Sequence, residues 1–240
     1  MISIIIPTLN EEKIIEKTLK NLSELTVVPH EIIVSDGRST DKTIEIAKRY
    51  TDKVIVYEGT TRQTIGMGRN LGASIATGDL LLFLDADMYI PDINTFMPKA
   101  IEMFHKNPKM VGLSAYLKVF PEMANFGDIV VFWLSNRWFY LMNNLFNHGA
   151  SYGEFQMMCT DVFRKLGGYD EKIAVAEDNE FFKRLAGAGK THIEPSMIVF
   201  HTSRRAHKIG WPKLLFSWWI NQASVALRKR SFHSEWKVIR

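Results

Sequence analysis

The sequence GDLLLFLDADMYIP at residues 78–91 decides the fold. Its apolar run, residues 80–84, is typical of a strand buried on both faces, as in a parallel sheet. Asp85 and Asp87 follow directly at the carboxyl end of this strand. Two carboxylates spaced in this way can reach one hard cation and leave room for substrate oxygens. A solvated acidic turn has the same pattern, so the surrounding sequence has to distinguish the two interpretations.

Further strand and helix patterns alternate on the amino-terminal side of this run. We predict strands at 2–6, 31–35 and 53–57, and helices at 8–25, 42–50 and 61–76. Asn10 or Thr8 is expected to cap the first helix. This alternation predicts an α/β fold with a doubly wound, mostly parallel sheet. Because ligands of such sheets bind beyond the carboxyl ends of the strands, we expect Asp36 and Asp85 to approach one edge.

The charge of the chain is unevenly distributed. Of the 240 residues, those from Arg204 onwards include nine Lys or Arg and one acid, Glu235, whereas the whole chain has a net charge of only +4. A basic, Trp-containing tail suits anionic lipid, nucleic acid or a pyrophosphate. Cys159 is the only cysteine, which excludes an intrachain disulfide and suits the cytosol. Met1 leads directly into an apolar strand, so we expect no signal peptide.

One glycine-rich segment imitates a dinucleotide-binding motif. The sequence GMGRNLG at 66–72 has the glycines of such a fingerprint, but a true fingerprint follows the first strand of its unit. Here the first strand is followed by PTLN, which contains no glycine. We therefore interpret these glycines as sites of close helix packing or of a bend in the helix.

Five segments together resemble inverting glycosyltransferases of family 2, which have the GT-A fold. They are IPTLNEE at 6–12, SDGRSTDKT at 35–43, GRNLGASIATGDLLLFLDAD at 68–87, GGYDE at 167–171 and EDNEFFKRL at 177–185. The resemblance covers most of residues 1–205 and implies a nucleoside-diphosphate sugar as donor, with UDP or GDP as the nucleotide. It also implies Mn²⁺ or Mg²⁺ and transfer of one sugar with inversion.

The resemblance assigns roles to individual residues on the donor side. Asp36 resembles the carboxylate that recognises the nucleobase, although an Asp here could equally form the turn. Arg69 falls in a position that contacts the donor or Asp85. Asp85 corresponds to the carboxylate nearer the ribose. The nucleoside wall is assigned to Pro7, Thr8 and Glu11.

The same resemblance assigns the metal ligands and the catalytic carboxylate. Asp87 is the direct metal ligand, with Asp85 beside it, and a cation there would stabilise the charge of the departing diphosphate. His201 ends an apolar strand and is either a third ligand or a hydrogen-bonded strand-end histidine. Asp178 is the general base if the acceptor is an alcohol, or a positioning group if the acceptor is a phosphate, and Glu177 is its neighbour. Arg204 would close over the pyrophosphate.

The expected organisation has two parts. A GT-A catalytic domain at 1–205 is divided into a nucleotide-binding half at 1–90 and an acceptor-binding half at 91–205. A basic, amphipathic helical extension follows at 206–240. The Gln-x-x-Arg-Trp signature of processive synthases is missing, which favours a non-processive enzyme. The aromatic segments 120–146 and 211–227 either lie in a membrane interface or form a helical pair that closes the acceptor side.

These features favour a cytoplasmic enzyme, peripheral at the cytoplasmic membrane face, with a lipid-linked acceptor such as a polyprenyl phosphate or a glycolipid. No nucleic acid is expected as a partner. A sugar nucleotidyltransferase is the alternative enzyme, but it would need a glycine-rich, basic loop after the first strand. A non-catalytic nucleotide-sugar-binding module is the other alternative, and the joint presence of Asp85, Asp87 and Asp178 argues against it.

Overall fold

The computed structural model describes residues 1–235, whose core is one seven-stranded sheet. The strands are β1 (Ile2–Thr8), β2 (His30–Asp36), β3 (Val54–Val56), β4 (Leu80–Leu84), β5 (Met110–Val119), β6 (Phe155–Cys159) and β7 (Lys190–His201). Their order is β3-β2-β1-β4-β6-β5-β7. Only β6 is antiparallel to its neighbours, so the predicted mostly parallel sheet is confirmed.

Helices connect most of the strands and cover the sheet. They are α1 (Ile15–Ser23), α2 (Thr43–Ala47), α3 (Ile65–Ser74), α4 (Ile93–Lys106), α5 (Phe126–Tyr140), α6 (Thr160–Lys165), α7 (Glu177–Ala188), α8 (Arg204–Ile209) and α9 (Trp211–Arg228). A π-helical turn, Leu141–Leu145, continues α5. No helix within residues 1–235 is long and apolar enough to cross a bilayer. The predicted extension contains α9, while its last residues, 236–240, lie outside the described part of the chain.

Alternate residues of β1 serve two separate cores, which explains its uninterrupted apolar sequence. Ile4 and Ile6 join the cluster on one face, and Ile5 joins the cluster on the other. Helix α3 packs so closely on the second face that a Cβ at Gly72 would lie 2.4 Å from Ile5 Cγ2. The interpretation of the glycines as sites of close helix packing is therefore confirmed.

The loop after β1 differs from the prediction. The strand continues through Pro7 to Thr8 by pairing with β2. On its other side β1 pairs with β4 only as far as Ile5, so the proline, which has no N–H, does not interrupt that ladder. The capping prediction was wrong: α1 begins only at Ile15 and has no side-chain cap. Asn10 has a left-handed φ of 54°, and its side chain accepts a hydrogen bond from the Thr40 N–H at 2.7 Å.

Candidate active site

A cavity of about 1310 Å³ opens where the loops after β1, β4 and β7 meet the first turn of α7. Helices α5 and α9 supply its apolar wall. Ten of the sequence-predicted site residues line it: Pro7, Thr8, Glu11, Arg69, Asp85, Asp87, Glu177, Asp178, His201 and Arg204. The expected convergence of polar groups at the carboxyl edge of the sheet is therefore observed for these residues.

Asp36 is the predicted site residue that does not line this cavity. Its side chain is fully buried, and its carboxylate accepts hydrogen bonds from the Thr8 hydroxyl at 2.8 Å and from the N–H and hydroxyl of Ser39, each at 2.6 Å. The neighbouring Gly37 forms the cavity wall instead. The contacts of Asp36 thus tie β1 to the loop after β2, and its recognition of a nucleobase stays a prediction.

Arg69 is the central cation of the site. Its guanidinium is buried and donates hydrogen bonds to Glu177 at 3.0 Å, to Asp85 at 3.3 Å and to the Gly153 carbonyl at 2.8 Å. A buried cation is tolerated only when it is paired and hydrogen-bonded in this way. Burial and the nearby Asp178 charge raise the pKa of Glu177 despite Arg69, which favours its charged form. Of the two contacts expected for Arg69, the one with Asp85 is observed, and the one with a donor stays a prediction.

Asp85 faces a second carboxylate that the sequence did not reveal. Leu84 pairs with Phe155 in the antiparallel register of β4 and β6, so Asp85 and Glu154 are the next opposing residues. The Asp85 N–H donates to the Glu154 carbonyl at 3.3 Å. Burial, followed by the charge of Asp85, raises the pKa of Glu154 to about 8. Like charges opposite each other destabilise a sheet unless a bound cation or proton offsets the repulsion.

Asp87 belongs to a different hydrogen-bond network. Its carboxylate accepts from the Thr202 hydroxyl and, at 3.3 Å, from Arg204 Nε. Arg204 also donates from Nη1 to Glu11 at 3.0 Å, which joins the loop after β1 to the loops after β4 and β7. The Arg204 guanidinium and the Asp87 carboxylate are thus paired with each other. A bound diphosphate would compete for the guanidinium, and a cation would compete for the carboxylate.

His201 and Asp87 carry side-chain groups of the kind that bind divalent cations. No three His, Cys, Asp or Glu side chains within residues 1–235 are already arranged as a metal-binding cluster. His201 is buried, its Nε2 has no hydrogen-bond partner, and burial lowers its pKa to about 4, so the ring is neutral at physiological pH. Its Nδ1 accepts from the Ser203 N–H at 3.3 Å, and ligation through Nε2 requires the ring proton to move to Nδ1.

The chemistry of these side chains fits Mn²⁺ or Mg²⁺ whose coordination shell is completed by substrate oxygens. Mg²⁺ is usually held by one or two carboxylates together with phosphate oxygens and waters, and imidazole increases the suitability for Mn²⁺. Asp87 is the ligand that the sequence resemblance singled out, with His201 and Asp85 beside it, and this assignment stays a prediction. A site of so few protein groups would be completed only when a diphosphate contributes its oxygens.

Asp178 lies in the first turn of α7, beside Glu177. Its Oδ1 accepts from the Asn179 N–H at 2.7 Å, and a Cβ at Gly153 would lie 3.1 Å from its Oδ2. A larger residue at position 153 would therefore crowd the second oxygen of Asp178, which lines the cavity. Burial raises the pKa of Asp178, whereas Arg69 opposes the shift. The carboxylate is placed to accept a proton from a group in the cavity.

The fold and this cavity define a glycosyltransferase of the GT-A class. The chain belongs to glycosyl transferase family 2, whose family model matches residues 3–167. Both expectations drawn from the sequence resemblance, the family and the fold, are confirmed.

Two relatives match most of the chain. A dolichyl N-acetyl-alpha-D-glucosaminyl phosphate 3-beta-D-2,3-diacetamido-2,3-dideoxy-beta-D-glucuronosyltransferase from Methanococcus voltae is 26% identical over 86% of this chain and 68% of its own. The succinoglycan biosynthesis protein ExoA from Rhizobium meliloti is 28% identical over 78% of this chain and 58% of its own.

Among solved structures, a mannosyltransferase from Pyrobaculum calidifontis in complex with GDP-Man and Mn²⁺ has a TM-score of 0.73. It is 20% identical and is matched over 95% of this chain and 64% of its own. The chain thus spans only part of the length of the proteins it matches. At this identity the structural similarity shows a shared fold.

Proposed function

We propose that this protein transfers one sugar from a nucleoside-diphosphate sugar to an acceptor, with inversion, in a metal-dependent and non-processive reaction. The observation that carries the proposal is the meeting of Asp85, Asp87 and Asp178 in one cavity, although they come from two distant segments. A cluster of this kind costs free energy unless cations or hydrogen bonds offset it. A cationic cofactor and a hydroxyl-rich substrate are the ligands that would do so.

On the donor side, Pro7, Thr8 and Glu11 would form the nucleoside wall, with Asp36 behind it. Arg204 would exchange its contacts with Glu11 and Asp87 for the diphosphate oxygens, because a guanidinium binds phosphate through two parallel hydrogen bonds. Asp87, with His201 and Asp85, would hold Mn²⁺ or Mg²⁺, which when bound stabilises negative charge on a departing diphosphate. UDP and GDP are both candidates for the nucleotide.

On the acceptor side, Asp178 would act as the general base. Its free Oδ2 would take the proton of an acceptor hydroxyl while the hydroxyl oxygen forms a bond to the anomeric carbon and the bond to the diphosphate breaks. Attack from the face opposite to the leaving group inverts that carbon. Arg69 would keep Glu177 and Asp85 in place during the reaction. If the acceptor is a phosphate, Asp178 positions it instead, because that oxygen is already anionic.

The acceptor is proposed to be lipid-linked, such as a polyprenyl phosphate or a glycolipid. The wall formed by α5 and α9 is largely apolar and aromatic, and it includes Phe132, Trp138, Phe139, Trp211 and Trp218. The relative from Methanococcus voltae is named for a dolichyl phosphate-linked substrate, which supports the same class. In this proposal the enzyme works on the cytoplasmic face of a membrane, with residues 1–205 as catalytic domain and 206–240 as extension.

The alternative of a sugar nucleotidyltransferase is less well supported. Such an enzyme needs a glycine-rich basic loop to hold a triphosphate. The loop after β1 instead contains Glu11 and Glu12 and no glycine. A non-catalytic binding module would not need an accessible carboxylate such as Asp178 beside the donor groups.

Calorimetry with nucleotides tests the proposal. We expect UDP or GDP to bind the wild-type protein in the presence of Mn²⁺, and NAD to show no metal-dependent binding. Asp87→Ala should abolish the metal-dependent part of the affinity. Asp79→Ala is the matched control, because Asp79 lies at the opposite end of the same strand and outside the cavity. If neither UDP nor GDP shows metal-dependent binding, the catalytic proposal is wrong.

A further inference from the structure

Helix α5 has the reverse of the polarity expected for a surface helix. Two of its three buried residues, Asp128 and Asn136, are polar, the third being Phe132, and Asn143 is buried in the π-helical turn that follows. Its exposed positions carry large apolar side chains: Phe126, Ile129, Val130, Trp133, Leu134 and Trp138. An ordinary surface helix buries its apolar side chains and exposes its polar ones.

Hydrogen bonds to the inward polar groups fix this orientation. Asp128 accepts from Ser203 at 3.1 Å and from Trp211 Nε1 at 3.0 Å, and His207 Nε2 lies 2.7 Å from its other oxygen. Asn136 makes two hydrogen bonds to the backbone of Leu117, at 3.1 and 3.0 Å. Turning the helix over would leave these buried groups unpaired, so the apolar face has to remain outside.

Helix α9 lies beside α5 and also carries exposed apolar side chains. Trp211 packs edge-on against Phe132 of α5 with ring centroids 5.5 Å apart. Further along α9, Leu215, Phe216, Trp219 and Leu227 are exposed. We call the exposed apolar side chains of α5, of its π-helical turn and of α9 the outer apolar surface. Exposed apolar patches of this kind mark interaction sites.

The outer apolar surface is continuous with the cavity. Trp138 and Trp219 of this surface, and Phe146 directly after the π-helical turn, line the cavity and are at the same time 56%, 66% and 65% exposed. These aromatic side chains therefore form the rim between the outside of the molecule and the site that contains Asp178. A ligand lying on the outer apolar surface would have direct access to the acceptor side of the cavity.

The charges around this surface indicate the chemistry of its partner. Between residues 204 and 235 the chain has seven Lys or Arg and one acid, Glu235. On α5 and its π-helical turn, the one acid is the buried Asp128. The partner should therefore be both apolar and anionic. A second copy of this chain fits poorly, because a two-fold interface through this face would place its cations against themselves.

We propose that the outer apolar surface inserts into the interface of an anionic membrane and holds the rim of the cavity at the level of the lipid headgroups. Tryptophan together with Lys and Arg is favoured at this depth of a bilayer. The Arg137 guanidinium carbon lies 4.1 Å from the centroid of the Trp133 ring, and this cation–π pair places a cation within the outer apolar surface. That the membrane also supplies the acceptor rests on the proposed function, whereas the membrane binding does not.

The test is flotation of the full chain with vesicles of phosphatidylcholine alone and of phosphatidylcholine containing one third phosphatidylglycerol. We expect binding to the anionic vesicles, part of which survives high salt. The double variant Ile129→Ser, Trp133→Ser should bind at least about tenfold more weakly, because it removes two apolar anchors that do not line the cavity. Val27→Ser, an exposed apolar residue between α1 and β2, should leave binding unchanged.

Three results would overturn the inference: no binding to either vesicle, binding that the double variant leaves intact, or a wild-type dimer in sedimentation that the double variant converts to monomer. Calorimetry with UDP and GDP on the same proteins separates the two proposals. The double variant should bind the nucleotide as the wild type does. If the wild type binds vesicles but no nucleotide, the proposed function fails and the membrane inference stands.

Discussion

Arg69 donates a hydrogen bond to Glu177 at 3.0 Å, although the two residues are 108 positions apart in the chain. The same guanidinium reaches Asp85, so one buried cation holds acids from α7 and from the end of β4. Removing it would leave Glu177 buried without its counter-charge, and that defect is more costly than loss of the attraction itself. Arg69 is therefore as important for the fold as for the cavity.

Replacing this cation should destabilise the whole domain. We expect Arg69→Met to lower the free energy of unfolding by about 3–5 kcal/mol, as for other broken buried ion pairs. Urea denaturation followed by circular dichroism measures the change. The exposed pair of Arg49 and Glu16 provides the control, and Arg49→Met should cost less than about 1 kcal/mol. Equal losses in the two variants would contradict the structural role of Arg69.

Loss of the base should affect turnover and spare nucleotide binding. We expect Asp178→Asn to lower kcat by about 10²–10⁴ with an alcohol acceptor, while the Kd for the nucleoside diphosphate stays unchanged. Glu180→Gln, which alters an ion pair with Arg184 outside the cavity, is the matched control. A loss below about tenfold with the alcohol acceptor would argue against Asp178 as the general base.

The pH dependence of that reaction has a predicted sign. Only the ionised form of Asp178 can accept a proton, and burial raises its pKa above the ordinary range of an aspartate. Activity should therefore rise with pH, and the rise should lie closer to neutrality than a solvent-exposed aspartate would give. A pH profile of kcat measures it. A profile that is already flat in mildly acidic solution would be inconsistent with a base whose pKa is raised.

Arg204 should contribute to binding through the phosphates alone. Arg204→Gln is expected to weaken binding of the nucleoside diphosphate by about tenfold or more, the usual scale for a hydrogen bond to a charged group. Affinity for the corresponding nucleoside, which lacks phosphate, should not change. Lys208→Gln, on the same helix but outside the cavity, should bind both ligands normally. If Arg204→Gln lowers the affinity for the nucleoside diphosphate and for the nucleoside by the same factor, the substitution has changed the pocket as a whole.

Acid stability should depend on Glu31, far from the cavity. Burial alone would raise the pKa of Glu31, but hydrogen bonds from Lys53, Ser3 and Thr77 outweigh this effect and lower the pKa from 4.5 to about 2. The stabilisation is thus complete above pH 4.5 and is lost as the pH falls towards 2.

The size of this effect is up to about 3 kcal/mol. Glu31→Gln should be less stable than the wild type at neutral pH, and the difference should narrow on acidification, as measured by urea unfolding at several pH values. The exposed Glu58→Gln should follow the wild type throughout. A constant difference between wild type and Glu31→Gln would show that Glu31 does not titrate in this range.

The apolar runs of the first half of the chain predicted its strands closely, because a strand buried on both faces leaves a continuous signal. The end of β4 also placed Asp85 and Asp87 correctly. Glu154 was not found, since β6 inserts next to β4 from a distant segment and in the opposite direction. An acid directly before the segment FQMM at 155–158 was its only local signal.

Other differences arise where side chains bond across loops. Asn is a residue type that often caps helices, but the side-chain carbonyl of Asn10 accepts a hydrogen bond from the Thr40 N–H. No local sequence pattern can predict a partner 30 positions away. The polarity of α5 was likewise hidden. Its sequence showed aromatic residues interrupted by Asp128 and Asn136, but only the fold shows that those polar interruptions point inward.

The orientation of α5 is set by paired polar groups on its inner side, and this has a consequence for how such a chain can change. The outer residues contribute little to folding, so substitutions among Ile129, Val130 and Leu134 should be nearly free of folding cost. Natural variation at these positions can then track the surface on which each homologue works. Replacing these residues with Lys and Glu should increase the solubility of the protein and leave its cavity intact.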